Sequence, residues 1–216
     1  MITDVGSLYV RLIKNCYICS HINQNKRIMK KLLILAVALL TVGSVSAQIT
    51  YSIGYLSTGE KGQAKGATSN TETMNGLTIA VDDNINLTGN LNVAPGVGLD
   101  LSFRKFSGET VKKFGLYVPV DFNYGFDLGS DLKLSVYAGP TFDLGLIYNT
   151  KDFNFYKKEE GNMSRFDILL GGGAWLTYQD QYRLQIGYKA GLLNTSKTDN
   201  YTIKSNIFSI SVGYIF

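Results

Sequence analysis

The chain of 216 residues carries 21 Lys+Arg against 17 Asp+Glu, a single His and two Cys. Because His21, Cys16 and Cys19 all fall among the first 28 residues, the remainder has no histidine base, no thiol nucleophile and no disulfide, and any zinc site would have to be built wholly from carboxylates. The formal charge of +4 also belongs to the start of the chain: residues 1–47 hold six Lys+Arg and one Asp, which leaves 15 basic against 16 acidic side chains from Gln48 onward. No catalytic residue, cofactor, metal or nucleic-acid partner is expected.

Met29, Lys30 and Lys31 precede an uncharged, largely apolar run, Leu32 to Val45, which Ser46 and Ala47 close. A charged start, a short apolar core and a small-x-small end predict a secretory signal peptide over 29–47, cleaved before Gln48. The run of 14 residues is too short for a spanning helix, which needs roughly 17 to 25. Residues 1–28 place polar and basic side chains ahead of a signal that already has its own methionine and lysines, and read as a non-native upstream extension. The Cys-x-x-Cys of that extension is then neither a metal site nor a redox motif. Residues 48–216 form the domain proper.

From Gln48 the apolar residues recur at every second position and not at helical spacing, which predicts strands with two unlike faces. Eight are expected, over about 48–57, 75–87, 91–104, 112–128, 132–149, 163–178, 182–195 and 203–216. The second is the least regular. Strict alternation in "LTIAVDDNINL" turns Asp83 to the apolar side, unless a bulge near Asp82 or a place at the edge of the apolar zone resolves it. In the seventh, Tyr182, Leu184, Ile186, Tyr188, Ala190 and Leu192 alternate with Arg183, Gln185, Gly187, Lys189 and Gly191. Three connections, "TGN", "GSD" and "QDQ", are tight and polar; they alternate with longer ones such as "STGEKGQAKGATSNTET" (57–73) and "KDFNFYKKEEGN" (151–162). Short turns at one end and long loops at the other are the asymmetry of a membrane barrel.

Alternation alone does not say which face points outward, but glycine does. Gly54, Gly76, Gly98, Gly115, Gly139, Gly187 and others share the polar side of their segments, and only Gly172 sits on the apolar side. On a solvated outer wall Gly weakens a strand without return. Inside an eight-stranded barrel, whose bore is just wide enough for side chains, small residues make room for large ones. The polar face therefore points in. Aromatics agree: Tyr51, Tyr55, Phe103, Phe114, Phe126, Tyr148, Phe166, Tyr178, Tyr182 and Tyr214 lie on the apolar side, many near strand ends where membrane barrels carry interfacial girdles, whereas Tyr117, Tyr137 and Trp175 share the glycine face. The expected fold is all-β, an eight-stranded antiparallel transmembrane up-and-down β-barrel.

The inward face sets Asp100, Asp121, Asp143 and Asp167 against Lys133, Arg165, Arg183 and Lys189. Four acids and four bases in a narrow bore are expected to pair, because an unpaired buried charge is far more expensive than a paired one. Paired, they plug the bore; an ion path lined by the same charges is the alternative. Counted with the basic residues at the adjoining strand ends, Arg104, Lys112, Lys113 and Lys204, the longer loops hold 11 basic and 7 acidic residues. Such a rim suits lipopolysaccharide phosphates, and equally a plain solvated face.

Phe208, Ile210, Val212, Tyr214 and Phe216 alternate up to the last residue. In lipid every strand edge must be paired, so this strand is expected to close against the first. The row resembles the C-terminal assembly signal of bacterial outer-membrane barrels. The chain from Gln48 resembles small eight-stranded barrels of the OmpA/OmpX kind, most closely the PorT-like, porin-family outer membrane beta-barrel proteins of Bacteroidota. That resemblance implies the outer membrane of a Gram-negative bacterium, recognition by the barrel-assembly machinery, contact with outer-membrane lipid and lipopolysaccharide, and a monomer. It implies a non-enzymatic protein that supports envelope integrity, or surface and host contact through external loops; barrel enzymes resemble one another in using an activated nucleophile or a histidine base. A small pore or PorT-like secretion accessory is the second reading, and a soluble ligand-binding barrel would require the reverse sidedness.

Overall fold

The computed structural model describes residues 48–106 and 108–216; the expected upstream extension and signal peptide lie outside the described residues. Eight strands follow one another: β1 (Gln48–Ala64), β2 (Asn70–Thr88), β3 (Leu91–Phe106), β4 (Glu109–Asp127), β5 (Leu132–Asn149), β6 (Phe166–Tyr178), β7 (Tyr182–Gly191) and β8 (Tyr201–Ile215). Each pairs antiparallel with the next, and β8 returns to β1, so the sheet closes into a barrel. Among the described residues there is no helix. Closure pairs both edges of the wall, the condition a strand must meet in lipid.

The two faces follow from the alternation. Along the closing seam Tyr51, Ile53 and Tyr55 lie level with Tyr214, Val212 and Ile210, and all six are exposed on the outside. Thr50, Leu56 and Thr58 on the opposite parity are buried. Ile53 and Val212 are each more than half exposed, a cost in water that disappears when the surrounding medium is hydrocarbon. Inside, missing side chains accommodate large ones: a Cβ on Gly98 would collide with the Tyr117 ring, and one on Gly125 with the Lys133 side chain.

At the end opposite the tight turns, the strands differ from their expected limits. Most of 57–73, read as a loop, is strand: β1 continues to Ala64 and β2 begins at Asn70, paired from Gly62↔Asn70 onward. That hairpin end has no apolar row on its outer side, so hydropathy gives no sign of it, although the ladder is intact. β3 and β4 likewise extend to Phe106 and back from Glu109, whereas β6 and β7 are shorter than expected, starting at Phe166 and ending at Gly191.

Tyr148 is also corrected. It faces inward and is 2% exposed, because the β4–β5 register slips between Phe114↔Ile147 and Gly115↔Gly145. The extra residue, Leu146, reverses the parity of everything after it. Asp83 is different: the β2–β3 register is the same at Asp82↔Gly96 and Ile85↔Val93 and slips only between Asn86 and Thr88. No bulge rescues it. Asp83 stays on the outward row level with Ile49, near the tight-turn rim, yet it is shielded and its Oδ1 has no hydrogen-bond partner.

Candidate functional site

The inward rows of all eight strands converge on one bore, filled in tiers. At the tight-turn end is a chain of amides: Asn86 Nδ2 donates to Asn92 Oδ1 (2.9 Å), Asn92 Nδ2 to Asn123 Oδ1 (3.2 Å) and Asn123 Nδ2 to Asn84 Oδ1 (2.9 Å). Above it Arg183 Nη1 pairs with Asp82 Oδ1 at 2.7 Å, and its guanidinium lies 4.4 Å from the Trp175 ring centre. Trp175 stacks on Tyr137 with centroids 5.0 Å apart. The Tyr137 hydroxyl reaches over Gly173 and Gly187, where a Cβ on either would meet it. Guanidinium, indole and phenol thus form a layered partition across a bore that has little width to spare.

A cavity of about 90 Å³ follows, with Asp100, Asp121, Asp143, Tyr117 and Lys189 in its lining. Lys189 Nζ donates to Thr141 Oγ1 at 2.6 Å and approaches Asp121 Oδ2 at 3.4 Å, and the Tyr117 hydroxyl shares a 2.9 Å hydrogen bond with Thr78. Toward the mouth, Lys113 Nζ pairs with Glu60 Oε1 at 2.9 Å while Tyr148 donates to Glu60 Oε2 at 2.5 Å. The β5–β6 connection, 150–165, folds back over this tier. Phe155 stacks on Tyr148 at 4.1 Å, Tyr156 packs where Gly145 leaves room, and Arg165 lies 4.6 Å from the Tyr156 ring. Burial pushes the Tyr156 hydroxyl up to about 12, so it remains neutral among the carboxylates.

The eight charged residues singled out in the sequence are not brought into one network. Asp121 and Lys189 meet, but Arg183 takes Asp82. Asp167 is held by the backbone N–H groups of Ile168 (2.8 Å) and Leu193 (3.2 Å), with Oδ2 unpartnered. Asp100 and Asp143 line the cavity and, among the described residues, form no ion pair. Lys133 lies against Gly125 and, among the described residues, forms no ion pair, and Arg165 precedes β6, exposed, donating to the Leu146 carbonyl at 2.8 Å. The expected four-to-four balance is replaced by a bore richer in carboxylates than in cations.

Three partners were missed by sequence reasoning. Asp82 was obscured by its neighbour Asp83. Glu60 fell to a loop cut too early, and Lys113, at the start of the expected 112–128 strand, was counted with the loop charges, although Glu60 continues the parity of Leu56 and Thr58, and Lys113 that of Gly115 and Tyr117. Following each alternation to its end would have found both. Among the described residues no group of three His, Cys, Asp or Glu is placed to hold a metal ion.

Residues 34–216 match the sequence model of a family described as "Outer membrane protein beta-barrel domain". The chain belongs to that family. It is an outer-membrane β-barrel protein of a Gram-negative bacterium, and the apolar wall is its lipid-facing surface. Among solved structures it is similar to Neisserial surface protein A (15% identity, 77% of this chain and 97% of the other, TM-score 0.47). It is also similar to the attachment invasion locus protein Ail of Yersinia pestis (15%, 80% and 100%, 0.42) and to OprG from Pseudomonas aeruginosa (12%, 79% and 96%, 0.40). No curated protein sequence matches it.

Proposed function

We propose that this outer-membrane barrel is a closed, non-catalytic member of its family, exported with removal of the segment before Gln48, whose working surface is the end that carries the longer connections. The Arg183–Trp175–Tyr137 partition carries the reading, since it spans the bore on side chains from β5, β6 and β7 and is locked to β2 through Asp82. The tier of Glu60, Lys113 and Tyr148 under the folded-back 150–165 connection supports a second seal. No His or Cys occurs from Gln48 onward, so neither a histidine-activated hydroxyl nor a thiol nucleophile can be built there. What the barrel offers is a rigid, membrane-anchored platform for contact with lipopolysaccharide, with a neighbouring surface or with a host. The row Phe208, Ile210, Val212, Tyr214 and Phe216 serves assembly, as the segment the barrel-assembly machinery engages, and the barrel acts as a monomer.

Single-channel recording in planar bilayers tests the closed state. The expected wild-type trace is silent, with brief flickering leaks in Arg183→Ala. Large, stable wild-type conductance steps would overturn the plug and favour a pore.

A further inference from the structure

Above the apolar belt, the outer wall carries lysines. Lys61 on β1 stands directly opposite Lys204 on β8. The seam keeps one register from Thr50↔Ile215 to Ala64↔Tyr201, so both lysines continue the outward rows of Tyr51, Ile53, Tyr55 and of Tyr214, Val212, Ile210. Both are exposed. Lys204 lies four residues beyond Phe208, about 13 Å along a strand and about 10 Å in height at the tilt of a membrane barrel. That is headgroup level, just outside the hydrocarbon.

Like charges directly opposite each other destabilise a strand pair. On the inward face this barrel meets the same problem and solves it internally: Glu60 is level with Glu72, and each takes its own cation, Lys113 and Arg104. Lys61 and Lys204 have no such ion pair, and the Asp167 carboxylate that acts on Lys204 does so from beyond ion-pair distance. The five ion pairs among the described residues leave both out, and their outward neighbours, Gly59, Gln63, Thr71, Thr73, Thr202 and Asn206, include no carboxylate. A looser pair recurs on another part of the wall, where Lys112 is level with Phe103 and Lys105 lies diagonal to it on the same face.

We propose that Lys61 and Lys204 together seat a phosphate of the outer-leaflet glycolipid, lipopolysaccharide, and that Lys105 and Lys112 seat another. Two ammonium groups on adjacent strands can both donate to one phosphate, and its double negative charge converts their repulsion into binding. The proposal rests on the reading that the end with the longer connections faces outward.

The test uses protein purified folded from outer membranes in lipid-free detergent, with three probes: lipid A, dephosphorylated lipid A and inorganic phosphate. Wild type is compared with Lys61→Gln/Lys204→Gln and with Lys65→Gln as the control. Lipid A is expected to bind the double variant about ten- to thirtyfold more weakly than wild type or control. Dephosphorylated lipid A should bind all three equally weakly, and millimolar inorganic phosphate should not displace lipid A. Without lipid the double variant should unfold at the same or a higher temperature than wild type, its repulsion gone; with lipid A the order should reverse. Equal lipid A binding by variant and wild type, indifference to the lipid's phosphates, displacement by free phosphate, or no reversal would each overturn the site. An epitope tag in the 65–69 turn separates the two readings. A tag reachable on intact cells, combined with unchanged lipid A binding, rejects the site alone, whereas a tag hidden until lysis rejects the orientation on which both depend.

Discussion

At the scale of single residues, Arg183 and Asp82 illustrate how burial sets the worth of an ion pair. Their side chains are 3% and 15% exposed, so neither is free to exchange its partner for water. Arg183→Ala leaves the Asp82 carboxylate in the bore without a counter-charge and removes the plate over Trp175. The expected loss is about 3 to 5 kcal/mol. Replacing both partners, Arg183→Met with Asp82→Leu, should recover most of that loss, because an apolar pair of similar volume carries no desolvation penalty. Urea unfolding in lipid vesicles, followed by the fluorescence of Trp175, the single tryptophan, measures both. By contrast, Lys157 pairs with Glu160 on the surface of the β5–β6 connection, with the lysine side chain 62% exposed, and Lys157→Ala should leave the urea midpoint unchanged. The sequence marks both lysine and arginine as charged and says nothing of this difference.

At the scale of elements, the turn between β6 and β7 is held in a geometry that Gln179 does not favour. Gln179 and Asp180 both have positive φ, 52° and 54°, and Gln181 N–H donates to the Tyr178 carbonyl at 3.1 Å. Positive φ at both central positions marks a type I′ turn, which Asn-Gly adopts readily. For a side chain such as Gln the left-handed region costs roughly 1 to 2 kcal/mol, and less for Asp, which visits it more readily. Gln179→Asn with Asp180→Gly should therefore stabilise the barrel by about 1 kcal/mol or more, read as a higher urea midpoint with an unchanged slope. The tightness of this turn was legible from "QDQ" between two alternating segments, since three residues can only reverse the chain. Its handedness was not, because neither Gln nor Asp announces positive φ as Gly does.

At the scale of the whole molecule, the barrel exists only when β8 meets β1. The seam runs from Thr50↔Ile215 to Ala64↔Tyr201, and beyond it Phe216 N–H still donates to the Ile49 carbonyl at 2.9 Å. The Phe216 ring meets Tyr51 and Tyr214 edge-on, with centroids at 5.4 and 4.7 Å. Phe216→Asp puts a charge at the closing corner on the lipid side. Export to the periplasm should proceed as before, while folded, heat-modifiable protein in the outer-membrane fraction falls. Normal membrane levels of that variant would remove Phe216 from the assembly step.

What the amino-acid order determined by itself is the strand count, the tight turns and the sidedness of the wall. These are consequences of period-two alternation read against a medium: an apolar row can face only lipid, and a glycine row needs something large to make room for. What only the tertiary structure decided is which charges meet. Pairing across the bore depends on height as well as parity, and height depends on the register of every strand in between. A single extra residue, Leu146, turns Tyr148 from lipid to Glu60, and β1 and β4 extended beyond their apolar rows bring Glu60 and Lys113 within 2.9 Å. Asp82 lies 101 positions from Arg183 in the chain, and no local pattern carries information over that distance. Only closure of the sheet brings β2 and β7 across the bore from one another.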